Sequence, residues 1–369
     1  MKTRAAVLFE QPGEWRVVEV DLDPPGHGEV LVEIVASGLC HSDDHFATGD
    51  ALFAALPLCG GHEGAGIVRE LGPGVSGLEV GDHVVTSFIP ACGQCHPCAS
   101  GHQELCDNGR ILGTGMQLDG TARMHLGGTD VATGASLGTF AEHQVLDQLS
   151  CVKIAPDIPL QTAVVVSCGV PTGWGSATRA ADLGPGSVVV VMGCGGIGMN
   201  AVQGARFMGA GRIVAVDPQP FKRDMALELG ATDAFESMAP ATEFVRSVTN
   251  GQGADAAIIT VGVVDGAHIA EGFSAIRKKG TVVVTAVGGS ADATIPVNLT
   301  ELSMFEKRIQ GVVYGNVSPR VVIPELLGLH RTGALDLDRL ITRRYTLDEI
   351  NEGYADMHAG HNIRGVITF

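Results

Sequence analysis

Four of the nine cysteines in the sequence lie close together, at a spacing that suits a metal ion: Cys92, Cys95, Cys98 and Cys106. Two consecutive Cys-x-x-Cys steps and a fourth thiol shortly afterwards can form a tetrahedral thiolate shell on one loop. An iron–sulfur cluster or a redox-active pair is the alternative, but a redox pair needs only two cysteines. Because four thiolates leave no open coordination position, the sequence predicts a structural zinc ion here.

A second group of potential metal ligands is spread along the chain: Cys40, His62 and Cys168. Two cysteines and one histidine are a recognised ligand set for catalytic zinc, with the fourth position open to water or substrate. Taken singly, each of these residues is more often a buried thiol or a surface histidine. The prediction of a second metal site therefore depends on the motifs that surround them.

A glycine-rich turn follows a short apolar run, residues 187–192, which is typical of a strand buried on both faces of a parallel sheet. Glycine stands at each position that the dinucleotide-binding fingerprint requires: Gly193, Gly195 and Gly198. The first permits a tight turn, the second lets the backbone approach a pyrophosphate, and the third lets a helix pack closely on the strand. The turn is therefore predicted to bind a dinucleotide.

A helix is predicted directly after this turn, over residues 196–207, so that the N–H groups of Gly196 and Ile197 point toward the phosphates. A second strand is predicted over residues 212–216 and ends at Asp217, about twenty residues after the glycines. An acidic side chain there can accept hydrogen bonds from the adenosine ribose and repels a 2′-phosphate. The sequence therefore predicts NAD rather than NADP.

Composition excludes several classes of function. With a net charge of −17 and a pI near 5.1, the chain is not expected to bind nucleic acid or an anionic membrane. Residues 183–205 carry no charge and are long enough to span a bilayer, but their glycines, Asn200 and Gln203 favour a strand and a helix instead. The first apolar run is too short for a signal peptide, so we expect a cytoplasmic protein whose cysteines are thiols or metal ligands.

The elements that must position these residues change in character along the chain. Residues 1–170 contain the alternating runs typical of strands, such as residues 29–35, separated by glycine- and proline-rich turns. Residues 109–137 lack a regular pattern and are predicted to be a long excursion near a site. Strand-like and helical segments alternate over residues 171–314, which predicts a parallel sheet, and residues 315–369 return to mixed structure.

Several motifs, in this order, resemble those of the zinc-dependent alcohol dehydrogenases of the medium-chain dehydrogenase/reductase superfamily. The resemblance covers essentially the full length of the chain. The motifs that carry it are Gly38-Leu-Cys-His-Ser-Asp-Asp-His45, Gly60-Gly-His-Glu-Gly-Ala-Gly66, the four-cysteine lobe, Cys168, and Gly193–Gly198 with Asp217.

The resemblance implies an α/β protein in which a β-rich, GroES-like catalytic domain is joined to a Rossmann domain with a doubly wound parallel sheet. Residues 1–170 would form the catalytic domain, with a structural zinc lobe at residues 92–106. Residues 171–314 would bind NAD, and residues 315–369 would return to the catalytic domain. Two zinc ions per subunit, NAD and a homo-oligomer are implied with this architecture.

By the same resemblance, Cys40, His62 and Cys168 bind the catalytic zinc ion. Glu63 would be a near neighbour of the ion or a transient ligand. Asp43 would fix the tautomer of His62 that presents its other nitrogen to zinc. The implied reaction is the oxidation of an alcohol to an aldehyde by hydride transfer to NAD.

Further site residues are implied in the same way. The proton of the alcohol would pass through Ser42 and the nicotinamide ribose to His45 near solvent, and Thr172 would lie against the nicotinamide. The other predicted cofactor contacts are basic side chains: His41 and Arg364 at the pyrophosphate, and Lys222 at a ribose. Histidine at position 41 replaces an arginine that is frequent in the family, so this contact is expected to be weaker and to depend on pH.

More narrowly, the chain resembles the actinobacterial alcohol dehydrogenases that are assayed with N,N-dimethyl-4-nitrosoaniline (NDMA). In these nicotinoproteins NAD stays bound and is recycled in place by another electron acceptor. The stretches that carry this resemblance are Ser87–Cys92, Gly101–Cys106, Asp119–Arg123 and Asn351–Met357. They imply oxidation of a primary alcohol with tightly held NAD and an external electron acceptor.

Three alternatives stay open at this point. A conventional dehydrogenase of the same family would exchange NAD with solution. A thiol-conjugate (S-hydroxymethyl) formaldehyde dehydrogenase would need a basic anchor for the carboxylates of the conjugate near residues 109–137, where Arg110 and Arg123 stand. A relative that binds nucleotide without chemistry is disfavoured by the complete set of predicted ligands for a catalytic zinc ion.

Overall fold

The computed structural model describes residues 1–50, 55–288 and 294–369. The strands within these ranges, numbered in chain order, are β1 (Lys2–Leu8), β2 (Arg16–Leu22), β3 (Glu29–Gly38), β4 (Leu58–Cys59), β5 (Gly64–Leu71), β6 (His83–Thr86), β7 (Met124–Leu126), β8 (Thr129–Thr133), β9 (His143–Asp147), β10 (Cys151–Ile154), β11 (Val188–Met192), β12 (Arg212–Val216), β13 (Asp233–Phe235), β14 (Ala254–Ile259), β15 (Val263–Val264), β16 (Ile276–Val284), β17 (Val287–Gly288), β18 (Arg308–Gly311), β19 (Ile341–Tyr345) and β20 (Arg364–Thr368).

The α-helices are α1 (His41–Thr48), α2 (His96–Ala99), α3 (Leu160–Ala163), α4 (Gly169–Gly175), α5 (Gly196–Phe207), α6 (Pro220–Leu229), α7 (Met238–Val248), α8 (Gly266–Ala275), α9 (Leu299–Met304), α10 (Pro319–Arg331) and α11 (Ile350–His358). Short 3-10 helices lie at Gln103–Leu105, Asp107–Ile111, Gly134–Ser136, Gln148–Ser150, Val164–Ser167, Tyr314–Asn316, Asp338–Leu340 and Leu347–Glu349, and a π-helical turn lies at Ser176–Ala180.

The chain forms two compact units. The first contains Met1–Cys168, Ser318–Gly333 and Leu337–Phe369, and the second contains Gly169–Val317 and Ala334–Asp336. Each unit has its own sheet and its own buried apolar side chains. Among the helices of the three described ranges, none is both long enough and apolar enough to cross a membrane.

The first unit is built from a closed barrel and an open sheet. Strands β1, β2, β7, β8 and β4 pair in that order, and β4 pairs with β1 to close the barrel. The sheet has the order β10-β6-β5-β3-β20-β19, and β9 pairs with the first half of β3. β20 pairs with the last residues of β3, so β3 has neighbours along both edges. The strand that leads into Cys40 is therefore firmly held.

Both faces of β1 are buried, and each face packs against a different apolar cluster. Ala5 and Val7 belong to one buried apolar cluster, whereas Ala6 and Leu8 belong to another, around Trp15. Successive side chains of a strand point to opposite faces, so the four residues divide between two cores. The β-rich character predicted for the start of the chain follows from this packing.

Residues 109–137 are the irregular excursion that the sequence predicts only in part, because residues 112–123 contain no helix or strand but the later residues do. β7 and β8 lie in this range and complete the barrel between β2 and β4. Gly127 and Gly128 join them, both with positive φ (59° and 85°), while Leu126 pairs with Thr129 across the turn. A two-residue hairpin turn of this kind favours glycine at both positions. The prediction is wrong for this second part because strands of three and five residues are too short to show alternation, although the glycine pair was a usable signal.

The second unit contains a six-stranded sheet with the order β13-β12-β11-β14-β16-β18, and every pairing in it is parallel. Helices connect its successive strands, as in a doubly wound fold. The strand order reverses between β11 and β14, and ligands of such sheets bind beyond the carboxyl ends of the strands at this point. The predicted fold class, an α/β protein with a GroES-like β domain and a Rossmann-like parallel sheet, is confirmed.

The predicted strand, turn and helix around the glycines are present. The central residues of β11, Val189–Val191, are fully buried, as expected for a strand covered on both faces. α5 begins at Gly196 and ends at Phe207, and β12 ends at Val216, directly before Asp217. The residues predicted to bind a dinucleotide therefore lie at the carboxyl ends of adjacent parallel strands.

His125, on β7, is held between two carboxylates. Its Nε2 lies 3.0 Å from Oδ2 of Asp23, and its Nδ1 lies 2.9 Å from Oδ1 of Asp130. The hydrogen bond to Asp23 is the main cause that raises the pKa of His125 above its usual value. Because the folded-state pKa is raised, this clamp stabilises the fold fully below about pH 6.5, and the contribution disappears as the pH rises through the raised pKa.

We expect His125→Gln to lower the free energy of unfolding by no more than about 1 kcal/mol at about pH 6, and by less at about pH 9. The effect is small because the two partner carboxylates are 51% and 61% exposed, so solvent screens the pairs. Thermal unfolding of the wild type and the variant at both pH values measures it. A difference in midpoint that is the same at both pH values would contradict the assignment.

Candidate metal centres and cofactor site

Four buried residues of the first unit have potential ligand atoms that all lie within 4.8 Å of one another: Cys40, His62, Glu63 and Cys168. The first lies directly before α1, the next two lie between β4 and β5, and the last follows a 3-10 helix. The hydroxyl of Ser167 donates a hydrogen bond of 3.1 Å to the carbonyl of Gly64, which ties the last segment to β5. Residues that are distant in sequence are thus brought together at one point.

Asp43 orients the histidine of this set. Its Oδ2 lies 2.8 Å from Nδ1 of His62, and its Oδ1 accepts a hydrogen bond of 2.8 Å from the N–H of Gly61. Asp43 is fully buried. The Nε2 of His62 is also buried and has no hydrogen-bond partner in the described part of the chain. An aspartate on Nδ1 favours the tautomer with its proton there, so Nε2 can bind a metal ion.

The turn that carries the histidine is supported from behind by Thr139. The N–H of Thr139 donates a hydrogen bond of 2.9 Å to the Gly61 carbonyl. Gly61 has a φ of +92°, and a Cβ there would lie 2.5 Å from the nitrogen of Phe140, so glycine is required. The carbonyl of Glu63 accepts hydrogen bonds from the hydroxyls of Ser37 and Thr139 at 2.9 and 3.2 Å. The sequence did not predict these hydroxyls, because side chains that support a backbone group have no distinctive spacing.

Glu63 is paired with a buried arginine. Its Oε2 accepts a hydrogen bond from Nη2 of Arg364 on β20, whereas its Oε1 is buried and has no partner among the residues that the structure describes. A Cβ at Gly38 would collide with Oε2 of Glu63, so the pair requires glycine at that position. The contact predicted between Arg364 and a cofactor pyrophosphate stays a prediction.

The electrostatics of the set suit a cation. The hydrogen bond with Cys168 holds the pKa of the Cys40 thiol well below its usual value, although burial opposes it. Burial lowers the pKa of His62, but Asp43 and Cys40 outweigh this effect and raise the pKa to about 10. The negative groups that favour a proton on His62 would equally favour a divalent cation bound there instead of the proton. Metal ligands bind in their deprotonated form. Two sulfur atoms and one imidazole nitrogen are the ligand chemistry of a catalytic zinc ion.

The sulfur atoms of the other cysteine group also lie within 4.8 Å of one another: Cys92, Cys95, Cys98 and Cys106. Backbone N–H groups point at these sulfur atoms, as from Cys95 to Cys92 Sγ at 3.4 Å and from Asp107 to Cys95 Sγ at 3.5 Å. Such hydrogen bonds, from Gln94 first, lower the pKa of the Cys92 thiol to about 6. Four sulfur ligands fit a closed, structural zinc site, as predicted.

The residues predicted to move a proton lie on α1. Ser42 and His45 are three residues apart, so their side chains share one side of the helix. The Oγ of Ser42 lies 3.8 Å from Sγ of Cys40. His45 is 6% exposed, and its Nδ1 lies 3.6 Å from Oδ2 of Asp50. His41 is exposed at the start of the helix, with its ring centroid 6.3 Å from that of His45.

The surroundings of each fingerprint glycine fit its predicted role. A Cβ at Gly193 would lie 2.9 Å from the backbone that follows β14, and a Cβ at Gly198 would collide with the carbonyl of Gly193. Gly195, in contrast, borders open space. No side chain caps the start of α5, so the N–H groups of Gly196 and Ile197 can bind a phosphate. The turn therefore fits a dinucleotide.

Asp217 is 6% exposed and lies directly after β12. Its Oδ2 accepts a hydrogen bond of 2.8 Å from the N–H of Cys194, and its Oδ1 accepts one of 2.9 Å from the N–H of Gln219. A carboxylate with two such bonds still has lone pairs for ribose hydroxyls. Lys222 is half-buried in the first turn of α6, and Thr172 is buried on α4. The contacts predicted between these side chains and the cofactor stay predictions.

Arg123 is committed to the structure of the first unit. Its Nε donates a hydrogen bond of 2.7 Å to Oε2 of Glu29, and its Nη2 donates one of 2.6 Å to Oδ2 of Asp119. The side chain is only 12% exposed. Arg123 is therefore a poor anchor for the carboxylates of a thiol conjugate. Of the two arginines considered for that role, only Arg110 is exposed.

Comparison with known proteins agrees with this site. Residues 26–157 match the alcohol dehydrogenase GroES-like domain, and residues 196–329 match the zinc-binding dehydrogenase family. The chain is 48% identical to an NDMA-dependent alcohol dehydrogenase of Amycolatopsis methanolica, over 100% of this chain and 99% of the relative. It is 44% identical to alcohol dehydrogenase B of Mycobacterium tuberculosis, with the same coverage. The structure is similar to that of benzyl alcohol dehydrogenase from Acinetobacter calcoaceticus, with a TM-score of 0.92, 29% identity, and coverage of 100% and 99%.

A parallel dinucleotide-binding sheet together with a cysteine–histidine metal set defines a metal-dependent dehydrogenase. Identity of 48% and 44% to two alcohol dehydrogenases over the full length of the chain narrows this class to the alcohol dehydrogenases. The chain belongs to the zinc-dependent alcohol dehydrogenases of the medium-chain dehydrogenase/reductase superfamily. Its activity is that of a zinc-dependent alcohol dehydrogenase, its substrates are alcohols and aldehydes, and its cofactors are zinc and NAD.

Proposed function

We propose that this enzyme oxidises a primary alcohol to an aldehyde while NAD stays bound, and that an external electron acceptor then reoxidises the NADH in place. When bound, NAD would take the hydride from the alcohol carbon, and the hydroxyl proton would leave to solvent. One observation carries the oxidation: the buried Nε2 of His62 has no partner in the described ranges and lies with two thiols. Similarity to an NDMA-dependent dehydrogenase supports the external acceptor.

When bound, zinc supplies Lewis acidity that lowers the pKa of an alcohol hydroxyl, and NAD supplies the hydride acceptor. Asp43 holds His62 in the tautomer that can serve as a ligand. Ser42 would take the proton of the alcohol while giving up its own hydroxyl proton, which would pass by way of the nicotinamide ribose to His45 and solvent. The position of both side chains on one side of α1 supports this route, as does Asp50, whose half-exposed carboxylate lies 3.6 Å from Nδ1 of His45.

Retention of NAD is supported by the order already present in the cofactor site. Asp217 is fixed by hydrogen bonds from Cys194 and Gln219, so it loses little freedom when a ribose binds. Binding sites that are ordered in advance gain affinity because less conformational entropy is lost. The N–H groups at the start of α5 add a site of fixed geometry for the pyrophosphate.

The retention of NAD is tested on protein purified without added nucleotide. Acid denaturation should release NAD or NADH in an amount near one per chain. The native protein should oxidise a primary alcohol with NDMA as acceptor and no added NAD. Protein that is nucleotide-free, and that turns over only when NAD is supplied, would instead be a conventional dehydrogenase.

Asp217 should also decide between NAD and NADP. We expect Asp217→Ser to improve the binding of NADP relative to NAD by at least about tenfold, because a like charge near the 2′-phosphate costs several kcal/mol. NAD itself should bind more weakly, since the N–H of Cys194 loses its acceptor. Titration of both nucleotides into the wild type and the variant measures the ratio. A wild type that binds both nucleotides equally would refute the role of the carboxylate.

A further inference from the structure

One peptide group of the glycine-rich turn is held on both sides. The carbonyl of Gly193 accepts a hydrogen bond of 2.5 Å from the hydroxyl of Thr260. The N–H of Cys194, in the same peptide plane, donates one of 2.8 Å to Oδ2 of Asp217. The two partners come from the strands on either side of β11, since Thr260 follows β14 and Asp217 follows β12. Rotation of this peptide would break both bonds at once.

Thr260 is itself fixed at the carboxyl end of the sheet. Its backbone N–H donates a hydrogen bond of 2.8 Å to the carbonyl of Met192, and its hydroxyl lies 3.0 Å from the same oxygen. The residue is 7% exposed. It also lies where the strand order reverses between β11 and β14, which is the place at which a doubly wound sheet binds its ligand.

Glycine at 193 and 198 lets the threonine and the start of α5 approach this peptide closely. A Cβ at Gly198 would collide with the Gly193 carbonyl and would lie 2.9 Å from Oγ1 of Thr260. A Cβ at Gly193 would lie 2.9 Å from the carbonyl carbon and oxygen of Thr260. The start of α5, the turn and the threonine therefore pack directly against one another.

We propose that Thr260 is a positioning residue that sets both the affinity of the enzyme for NAD and its preference over NADP. The N–H of Cys194 is used within the protein, so the phosphate donors are the N–H groups at the start of α5. The hydroxyl of Thr260 keeps the peptide in the orientation that aims the Cys194 N–H at Asp217. Without the hydroxyl the peptide can rotate, and Asp217 loses the bond that holds its carboxylate ready for the ribose and against a 2′-phosphate.

The test compares Thr260→Val, which removes the hydroxyl with little change of shape, with Thr260→Ser, which keeps it. NAD and NADP are titrated into nucleotide-free protein, and zinc is counted in each preparation. We expect Thr260→Val to weaken NAD binding about tenfold, in line with one buried hydrogen bond, and to narrow the preference over NADP. We expect Thr260→Ser to stay within about twofold of the wild type. Zinc content should remain that of the wild type in both.

Two outcomes would overturn the proposal. One is a Thr260→Val protein that binds both nucleotides as the wild type does. The other is equal loss in both variants, which would assign the effect to altered packing around residue 260 rather than to the hydroxyl. Should Thr260→Val fold poorly, Thr260→Cys serves in its place, because a thiol is a weak donor and the same loss of NAD affinity is then expected.

A double-mutant cycle tests whether the two sides of the peptide act together. Thr260→Val and Asp217→Ala should be non-additive, so that the double variant loses little more NAD affinity than the more impaired of the two single variants. Full additivity would contradict a shared peptide. A slower release of NAD from the wild type than from Thr260→Val is also expected, and this part rests on the proposed retention of NAD. If the wild type exchanges NAD freely, retention fails, while the ratio of the dissociation constants still tests Thr260.

Discussion

Cys168→Ala is expected to remove one of the two zinc ions and to lower turnover at least about a thousandfold. Cys168 is one of the two thiols in the buried ligand set, and its loss leaves too few ligands to hold the ion. A catalytic metal ion lowers the activation barrier by several kcal/mol, and about 1.4 kcal/mol corresponds to a tenfold change in rate. Metal analysis of the purified protein and steady-state rates of alcohol oxidation measure the two effects.

The control for this experiment is Cys151→Ala, which removes a buried thiol that lies in neither ligand set. It should keep both ions and most of the activity. The zinc ion of the four-cysteine lobe should remain in the Cys168 variant, because its ligands are independent. Full zinc content in Cys168→Ala would show that the assignment of this ligand is incorrect.

Asp43→Asn is expected to weaken the binding of zinc at the catalytic set about 10- to 100-fold. An asparagine that accepts from the N–H of Gly61 must present its amide to Nδ1 of His62. The imidazole then carries its proton on Nε2 and cannot serve as a ligand. If the amide group of the asparagine is flipped, so that its oxygen faces Nδ1 of His62, the N–H of Gly61 loses its acceptor. Competition with a chelator, followed by metal analysis, measures the affinity without reference to turnover.

Asp44→Asn is the matched control. Asp44 is the next residue of α1 and is 5% exposed, but its carboxylate pairs with His358 at 2.8 Å instead of a zinc ligand. Zinc should stay bound in this variant. Equal loss of zinc in both variants would mean that the change acts through the stability of α1 and not through the histidine tautomer.

The ligand sets were predictable because metal chemistry limits which side chains can serve. The spacing of Cys92, Cys95, Cys98 and Cys106 favours a zinc ion over the alternatives, and the structure groups these sulfur atoms as expected. The glycine-rich turn was predictable for a similar reason, since close approach of backbone atoms excludes a Cβ at Gly193 and Gly198. Cys168 could be joined to Cys40 and His62 only through resemblance to a family, because spacing along the chain does not encode such a distant contact.

Other features could not be predicted from the sequence. The bond between Thr260 and Gly193 depends on two strands of the sheet that the sequence does not place side by side. The pairing of Glu63 with Arg364 joins residues from opposite ends of the chain, and each would read alone as an ordinary charged residue. β7 and β8 were missed because their pairing partners in the barrel, and not their own short sequences, make them strands.

The two zinc sites differ in how soon a growing chain can assemble them. All ligands of the structural site lie within Cys92–Cys106, so this lobe can take up its ion once a short segment has left the ribosome. The catalytic set has to wait for Cys168, and for the bond from Ser167 to Gly64 that brings it to Cys40. Closing the longer loop costs more chain entropy. When zinc is scarce during synthesis, we therefore expect chains that hold the structural ion but lack the catalytic ion, and these chains should be inactive.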